Sequence, residues 1–267
     1  MGIVNATPDS FSGDGCGADV EGAIARGLAH LDAGADILDV GGESTRPGAQ
    51  PVAAEEECER VVPVIRGLRA RTQAPLSVDT FKAEVAQAAL EAGADIVNDV
   101  WGLRRDRAIA SAAARFGATL VIVHNRPAEA TVDPLGGMYP RAVYGDVVAE
   151  VAAELQEAAG WALAAGVPAE RIWLDPGLGF GKTPAQSLEL LRRLGGLRLG
   201  YPLLVGPSRK SFIGRTLGLP VGERDEGTAA AVALSVAFGA DVLRVHDVRT
   251  MVRVARMADA VCRGGPA

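Results

Sequence analysis

Four times along the chain, an alanine-rich stretch reaches Gly-Ala and runs straight into a short apolar segment. The four are GADILDVGGE from Gly34, GADIVNDVWG from Gly93, GATLVIVHNR from Gly117 and GADVLRVHDV from Gly239. The stretches before them, such as EGAIARGLAHLDA and KAEVAQAALEA, carry apolar residues at helical spacing. Glycine just beyond such a stretch is a helix C-terminal signal, because it takes a left-handed backbone without a Cβ clash. The Val, Ile and Leu runs that follow are too short for helices and too continuous for a half-exposed strand. They predict strands buried on both faces, as in a parallel sheet. A chain that repeats helix, glycine and buried strand is confined to the α/β class.

Four further runs, GIVN, PLSVD, RIWLD and PLLVG, fit the strand role without the Gly-Ala lead. The spacing thus predicts eight strands, at 2–5, 36–40, 75–79, 95–98, 119–123, 171–175, 202–205 and 241–245. It predicts helices at 19–33, 54–71, 82–92, 105–116, 141–165, 184–194, 225–238 and 248–262. Eight alternating units in 267 residues predict a (β/α)8 TIM barrel. A doubly wound open sheet is the rival, disfavoured because no Gly-x-Gly-x-x-Gly turn follows the first strand. No Pro/Gly/Ser-rich linker interrupts the series, so residues 1–267 form one expected domain. The longest connections, 6–18, 41–53, 124–140 and 206–224, all run from strand to helix. In a barrel they share the face at the strands' C-terminal ends, where active sites sit.

Polar residues recur at these strand ends. Asp39, Asn98 and Arg244 each lie five residues after their glycine, and His124 and His246 seven after theirs. Side chains two apart on a strand share a face. With Asn5, Asp79 and Asp175 closing other strands, Asn98, His124 and Arg244 predict a polar-lined mouth. Unpaired polar groups there would cost stability unless a ligand or neighbour engages them. Asp99, next to Asn98, is expected to face the other way and to be structural. His30 sits in a helix and is expected at the surface.

Other functions are excluded by bulk properties. The net charge is −6, with no basic run to suit nucleic acid or an anionic membrane. The cysteines Cys16, Cys58 and Cys262 are scattered and odd in number, which argues against a disulfide framework and fits a reducing compartment. Neither a signal peptide nor an uncharged membrane-length stretch is visible, so a cytoplasmic protein is expected. The run GLGFGKT imitates a phosphate-binding P-loop, but the first required glycine falls on Pro176.

Five stretches carry a closer resemblance: NATPDSFS after the first strand, GGESTRPGA after the second, LDPGLGFGK at the sixth, GPSRKSFIG at the seventh and RVHDV at the eighth. In this order and spacing, the chain resembles the pterin-binding enzymes of the dihydropteroate synthase family over nearly its whole length. That resemblance implies condensation of (7,8-dihydropterin-6-yl)methyl diphosphate with 4-aminobenzoate, giving 7,8-dihydropteroate and diphosphate. It implies pterin-binding by Asp79, Asn98, Asp175, Lys210 and Arg244. It assigns the diphosphate to Asn5, Thr45, Arg244 and His246, with Asn5 ligating a Mg2+ cofactor. It assigns 4-aminobenzoate to Thr45, Arg46, Pro47, Phe180 and Ser211. Arg244, His246 and Lys210 would be the catalytic residues, in a substitution where the leaving group departs first. The residues' chemistry suits these roles: carboxylates accept paired N–H bonds, an amide oxygen suits a hard cation, and guanidinium suits phosphate. The family is typically a homodimer.

Departures from the pattern are informative. His124 lies in IVHNRP, where the family usually carries a neighbouring Met, and loop 6–18 is unusually glycine-rich. Met1 occupies what is normally an internal position, so a segment before the first strand, and the stability it brings, is expected to be missing. Two other readings stand beside the synthase. One is another pterin-binding barrel, such as a methyltetrahydrofolate methyltransferase, which needs no aminobenzoate loop. The other is a catalytically silent relative that only binds.

Overall fold

The computed structural model describes residues 1–7, 19–44, 49–133 and 135–264. Six parallel strands form one sheet in chain order: β1 (Gly2–Asn5), β2 (Leu38–Gly41), β3 (Leu76–Asp79), β4 (Ile96–Asp99), β5 (Thr119–Val123) and β8 (Ile172–Asp175). Strands β9 (Leu204–Val205) and β10 (Val242–Leu243) pair parallel with each other. Single bridges close the ring. Leu174 pairs with Leu203 at one seam, and Gly2 with Val245 at the other. At the second seam, Ile3 N–H donates to the Val245 carbonyl at 3.1 Å and Val245 N–H to Met1 at 3.0 Å. The result is the expected barrel. It is wrapped by α1 (Val20–Asp32), α2 (Ala54–Arg69), α3 (Ala83–Glu91), α4 (Ala108–Phe116), α5 (Val147–Ala164), α6 (Pro184–Arg192), α7 (Ser211–Leu217), α8 (Asp225–Ala237) and α9 (Val248–Arg263).

Alternation along each strand separates two cores. Val4, Leu38, Val40, Leu76, Val78, Leu120 and Ile122 point outward and pack with helix residues such as Ile24, Ile65 and Ile109. Met1, Ile37, Ile96, Val121, Val123 and Leu204 point inward and plug the barrel, with Trp173 and Phe180 against them. Each such buried aliphatic side chain contributes roughly 1.5–3 kcal/mol relative to exposure. The aspartate of the repeat serves the opposite, N-terminal end. Asp95 accepts the Leu76 N–H at 2.9 Å and Asp241 the Leu203 N–H at 2.8 Å, each tying its strand to the preceding one.

Several expectations need correction. The connection 206–224 contains the helix α7, and 124–140 contains an exposed hairpin of β6 (Thr131–Asp133) and β7 (Gly136–Met138). Helix α5 begins at Val147 rather than at 141, because Asp146 caps it by accepting the Val148 and Ala149 N–H groups. His30 is half-buried, with Nε2 3.1 Å from the Ile3 carbonyl of β1. Burial there lowers its pKa. Thr45, Arg46 and Pro47 of the second loop, and Cys16 of the first, lie outside the described residues.

Candidate active site

Parallel register brings the polar strand ends to one level. Asn5 is opposite Gly41, Gly41 opposite Asp79, and Asp79 opposite Asn98. Across the seam, Arg244 follows β10 and reaches back over the barrel. Its Nε donates to Asp39 at 2.6 Å and its Nη2 to Asp79 at 2.6 Å. Asn98 Nδ2 donates to Asp39 at 3.3 Å. Asp175 closes β8 within electrostatic reach of the Lys210 ammonium, which also feels Asp79 and Arg244. The five residues expected to hold a pterin are therefore gathered at one mouth.

The charges there are under strain. Asp79 still reaches the surface, its side chain 18% exposed, yet desolvation raises its pKa to about 7 against the pull of Arg244. Burial lowers Lys210 to about 8, with Asp175 opposing. Burial also raises Asp175, which Lys210 and the Gly177 N–H resist. For Arg244, burial works against the charge, but Asp39 and Asp79 outweigh it and hold the guanidinium above its ordinary pKa. Of the six buried side-chain polar atoms without a hydrogen-bond partner among the described residues, three belong to the strands lining this mouth: Asp39 Oδ1, Asn98 Oδ1 and Ser77 Oγ. Such atoms mark a place prepared for water or ligand.

The neighbouring loops supply the rest. Phe180 lies on the loop after β8, with Lys210 Nζ 4.2 Å from the centre of its ring. Ser211 opens the seven-residue α7, directly after Lys210. His246 Nδ1 pairs with the Ser208 hydroxyl at 2.9 Å, and the same hydroxyl accepts the His246 N–H at 3.2 Å. At the neck of the second loop, Lys82 bridges the carboxylates of Glu43 and Glu57, while Val52 N–H donates to Glu43 at 3.3 Å. Asp99 turns away from the mouth and accepts the Trp101 and Leu103 N–H groups at 2.8 and 2.6 Å. Burial raises its pKa to about 7, those N–H bonds resisting.

Two residues depart from the sequence expectation. Asp39 is the missed member: its position five residues after glycine was a visible signal, but its pairing with Arg244 spans 205 residues of chain. His124 goes the other way. In the other three repeats the glycine lies one residue past the helix's C-cap, at Gly34, Gly93 and Gly239, whereas Gly117 is the cap of α4 itself. The turn is one residue shorter, and Thr119 rather than residue 120 pairs with Ile96. A one-residue slip exchanges faces. His124 therefore points to the outside of the barrel. Its Nδ1 meets Lys182 Nζ at 2.9 Å, and its Nε2 faces Glu154 of α5 at 3.2 Å.

Mg2+ fits this donor set in a limited way. No group of three or more His, Cys, Asp or Glu residues among the described residues could cage a metal. Mg2+, however, keeps several waters and binds through one or two protein oxygens plus substrate phosphate. The Asn5 amide at the rim can provide one such oxygen.

Comparison with known proteins agrees with this geometry. The family described as "Pterin binding enzyme" matches residues 1–246. A dihydropteroate synthase from Bacillus subtilis is 44% identical over 266 residues, covering 99% of this chain and 89% of that one. A solved dihydropteroate synthase from Clostridium difficile, in the presence of pteroic acid, superposes with a TM-score of 0.91 at 44% identity, covering 98% and 96% of the two chains. The Xanthomonas albilineans dihydropteroate synthase with 4-aminobenzoic acid gives a TM-score of 0.87 at 46% identity, covering 98% and 92%.

Proposed function

Because this chain belongs to the pterin-binding enzyme family, among its dihydropteroate synthases, we propose that it joins (7,8-dihydropterin-6-yl)methyl diphosphate to 4-aminobenzoate, releasing diphosphate. The observation that carries this reading is the convergence of Asp79, Asn98, Asp175, Lys210 and Arg244 on one mouth, with the Asn98 carbonyl oxygen left unpaired. The edge of a pterin ring presents an amino group and ring nitrogens to such acceptors. Asp79 and Asp175 would take its N–H groups and Asn98 Oδ1 a third. Lys210, its ammonium over the Phe180 ring, would donate to the pterin's oxygen or nitrogen.

Arg244 stands beside the ring's edge, and its guanidinium also suits the departing diphosphate, together with His246 and Thr45. Mg2+ held through Asn5 would add positive charge at the same leaving group. Among the described residues, no side chain at the mouth is an evident covalent nucleophile. Departure of diphosphate therefore precedes attack, and the electron-rich pterin spreads the positive charge of its methylene carbon. The aniline nitrogen then attacks, oriented by Thr45, Arg46, Pro47, Phe180 and Ser211. Being only weakly basic, it needs no strong general base.

Diphosphate release tests this directly. It should require both substrates and Mg2+ together. Pterin binding with no release would leave the silent reading standing, and methyl transfer from a methylated pterin would favour the other barrel. A homodimer belongs to the same proposal. Met257 and Val261, one turn apart on α9, are exposed apolar side chains that a second copy could cover. Glutamate at both should lower the sedimentation coefficient if that face is used.

A further inference from the structure

The sequence GLGFGKT imitates a phosphate loop and fails at Pro176, and the structure shows what the same residues do instead. Gly177, Gly179 and Gly181 all take positive φ, 64°, 78° and 56°. The turn lies flat on the backbone after β5: a Cβ at Gly177 would stand 1.9 Å from the His124 carbonyl oxygen, and one at Gly181 2.5 Å from that of Arg126. In a phosphate loop, backbone N–H groups converge on an anion. Here carbonyls converge on a cation. Lys182 Nζ lies 3.0 Å from the Gly177 carbonyl, 2.9 Å from that of Phe180 and 3.3 Å from that of His124. His124 Nδ1, at 2.9 Å, is a fourth partner. Lys182 is only 2% exposed.

Burial drives Lys182 well below its usual pKa, and only matched hydrogens keep a charged or neutral amine tolerable so far from water. Its three hydrogens find four acceptors, all belonging to one turn and the strand beneath it. The acceptor role of Nδ1 leaves the imidazole proton on Nε2, toward Glu154. The turn bears directly on the candidate site. Its Gly177 N–H donates to Asp175 at 2.7 Å, and Phe180 presents its ring to Lys210.

We propose that Lys182 is a positioning residue for the pterin site: its ammonium, caged by carbonyls, holds the Gly177–Gly181 turn in the shape that presses Phe180 onto Lys210. The inference rests on the reading of Phe180 and Lys210 as ligand-facing. It makes His124, which the short α4–β5 turn sends outward, part of the support for that turn rather than part of the mouth.

The test is a double-mutant cycle on Lys182→Met and Phe180→Ala, with pteroic acid as probe in calorimetric titration. Each single variant should weaken binding about tenfold, and the double variant no more than Phe180→Ala alone, because both remove the same contact. Lys182→Gln, which can still donate to two carbonyls, should lose about threefold. A support that acts on the fold in general would instead give losses that multiply, about a hundredfold in the double variant, and would overturn the proposal. So would binding by Lys182→Met within twofold of the unaltered chain, or a Lys182→Met chain that does not fold at all, since the effect claimed is confined to one turn. If the unaltered chain bound no pteroic acid, the functional reading itself would fall and the inference with it; in all other outcomes only the inference is at stake.

Discussion

Two polar clusters flank the barrel wall, one inside the mouth and one behind β5. Inside, Asp39, Asp79, Asn98, Asp175, Lys210 and Arg244 share too few partners, and Asp39 Oδ1 and Asn98 Oδ1 are left over. Behind β5, Lys182, His124, Glu154, Arg126 and Glu150 are matched in charge throughout. Arg126 Nε donates to Glu154 and Nη2 to Glu150, both at 2.7 Å, with the guanidinium over the Tyr144 ring. Tyr144 O–H donates to the Gly181 carbonyl at 3.1 Å. Even the imperfectly aligned His124 Nε2 faces Glu154. A cluster with acceptor oxygens left over at the mouth is built to receive something; a cluster whose charges are matched by close ion pairs is built to hold something still.

The comparison breaks first at Arg244. Arg244→Ala should lower kcat by roughly a hundredfold to a thousandfold, the scale of losing one charge-stabilising group. From sequence alone, turnover is expected to suffer far more than folding. The structure adds a folding cost beside it. Removing Arg244 leaves the buried Asp39 and the half-buried Asp79 without their counter-charge, a loss of about 3 kcal/mol in urea unfolding. The loss should shrink toward pH 5, where Asp79 takes up a proton.

A smaller effect follows from Asp79 and Lys210. Ionised Asp79 accepts from the pterin, and charged Lys210 donates. Pteroic acid affinity should therefore rise as pH climbs through about 7 and fall as it passes about 8. Beyond either limb the change is up to tenfold per pH unit, in calorimetric titrations. Asp79→Asn should flatten the acid limb and Lys210→Met the basic one. The same shift governs stability. With Asp79 at about 7 in the fold and near 3.8 unfolded, the folded chain keeps a proton that the unfolded chain has lost between those values. Unfolding free energy should then fall as pH rises from 4 to 7, and Asp99 pushes the same way. Behind the wall the expected effects are the mildest. Glu154→Gln should cost about 1–2 kcal/mol of stability and leave kcat within about twofold, since Glu154 is placed to touch no substrate atom.

The parts of the molecule that repeat could be read in the chain. Glycine after an alanine-rich stretch located four of the eight barrel strands and short apolar runs the other four, and aspartate or asparagine closing such runs located Asp79, Asn98 and Asp175. What could not be read depends on phase and on long-range closure. His124 and His246 sit equally far from their glycines, yet Gly117 is itself the cap of α4, and one residue reverses the face. Asp39 carried the same positional mark as Asn98, but nothing local says that Arg244 will reach it across the closing seam. The β6–β7 hairpin left no signal either, since its strands are three residues each and Val132 is exposed. Lys182 was visible only as the end of a failed phosphate motif, and its carbonyl cage depends on three positive-φ glycines acting together.

The central claim is that the mouth's unpaired polar atoms are the pterin's partners. A crystal structure with pteroic acid bound tests it most directly. The account predicts the ring's edge within hydrogen-bond distance of Asp79, Asp175 and Asn98 Oδ1, with Lys210 on the same ring. A ring seated elsewhere, with those three side chains bonded only to water, would contradict it.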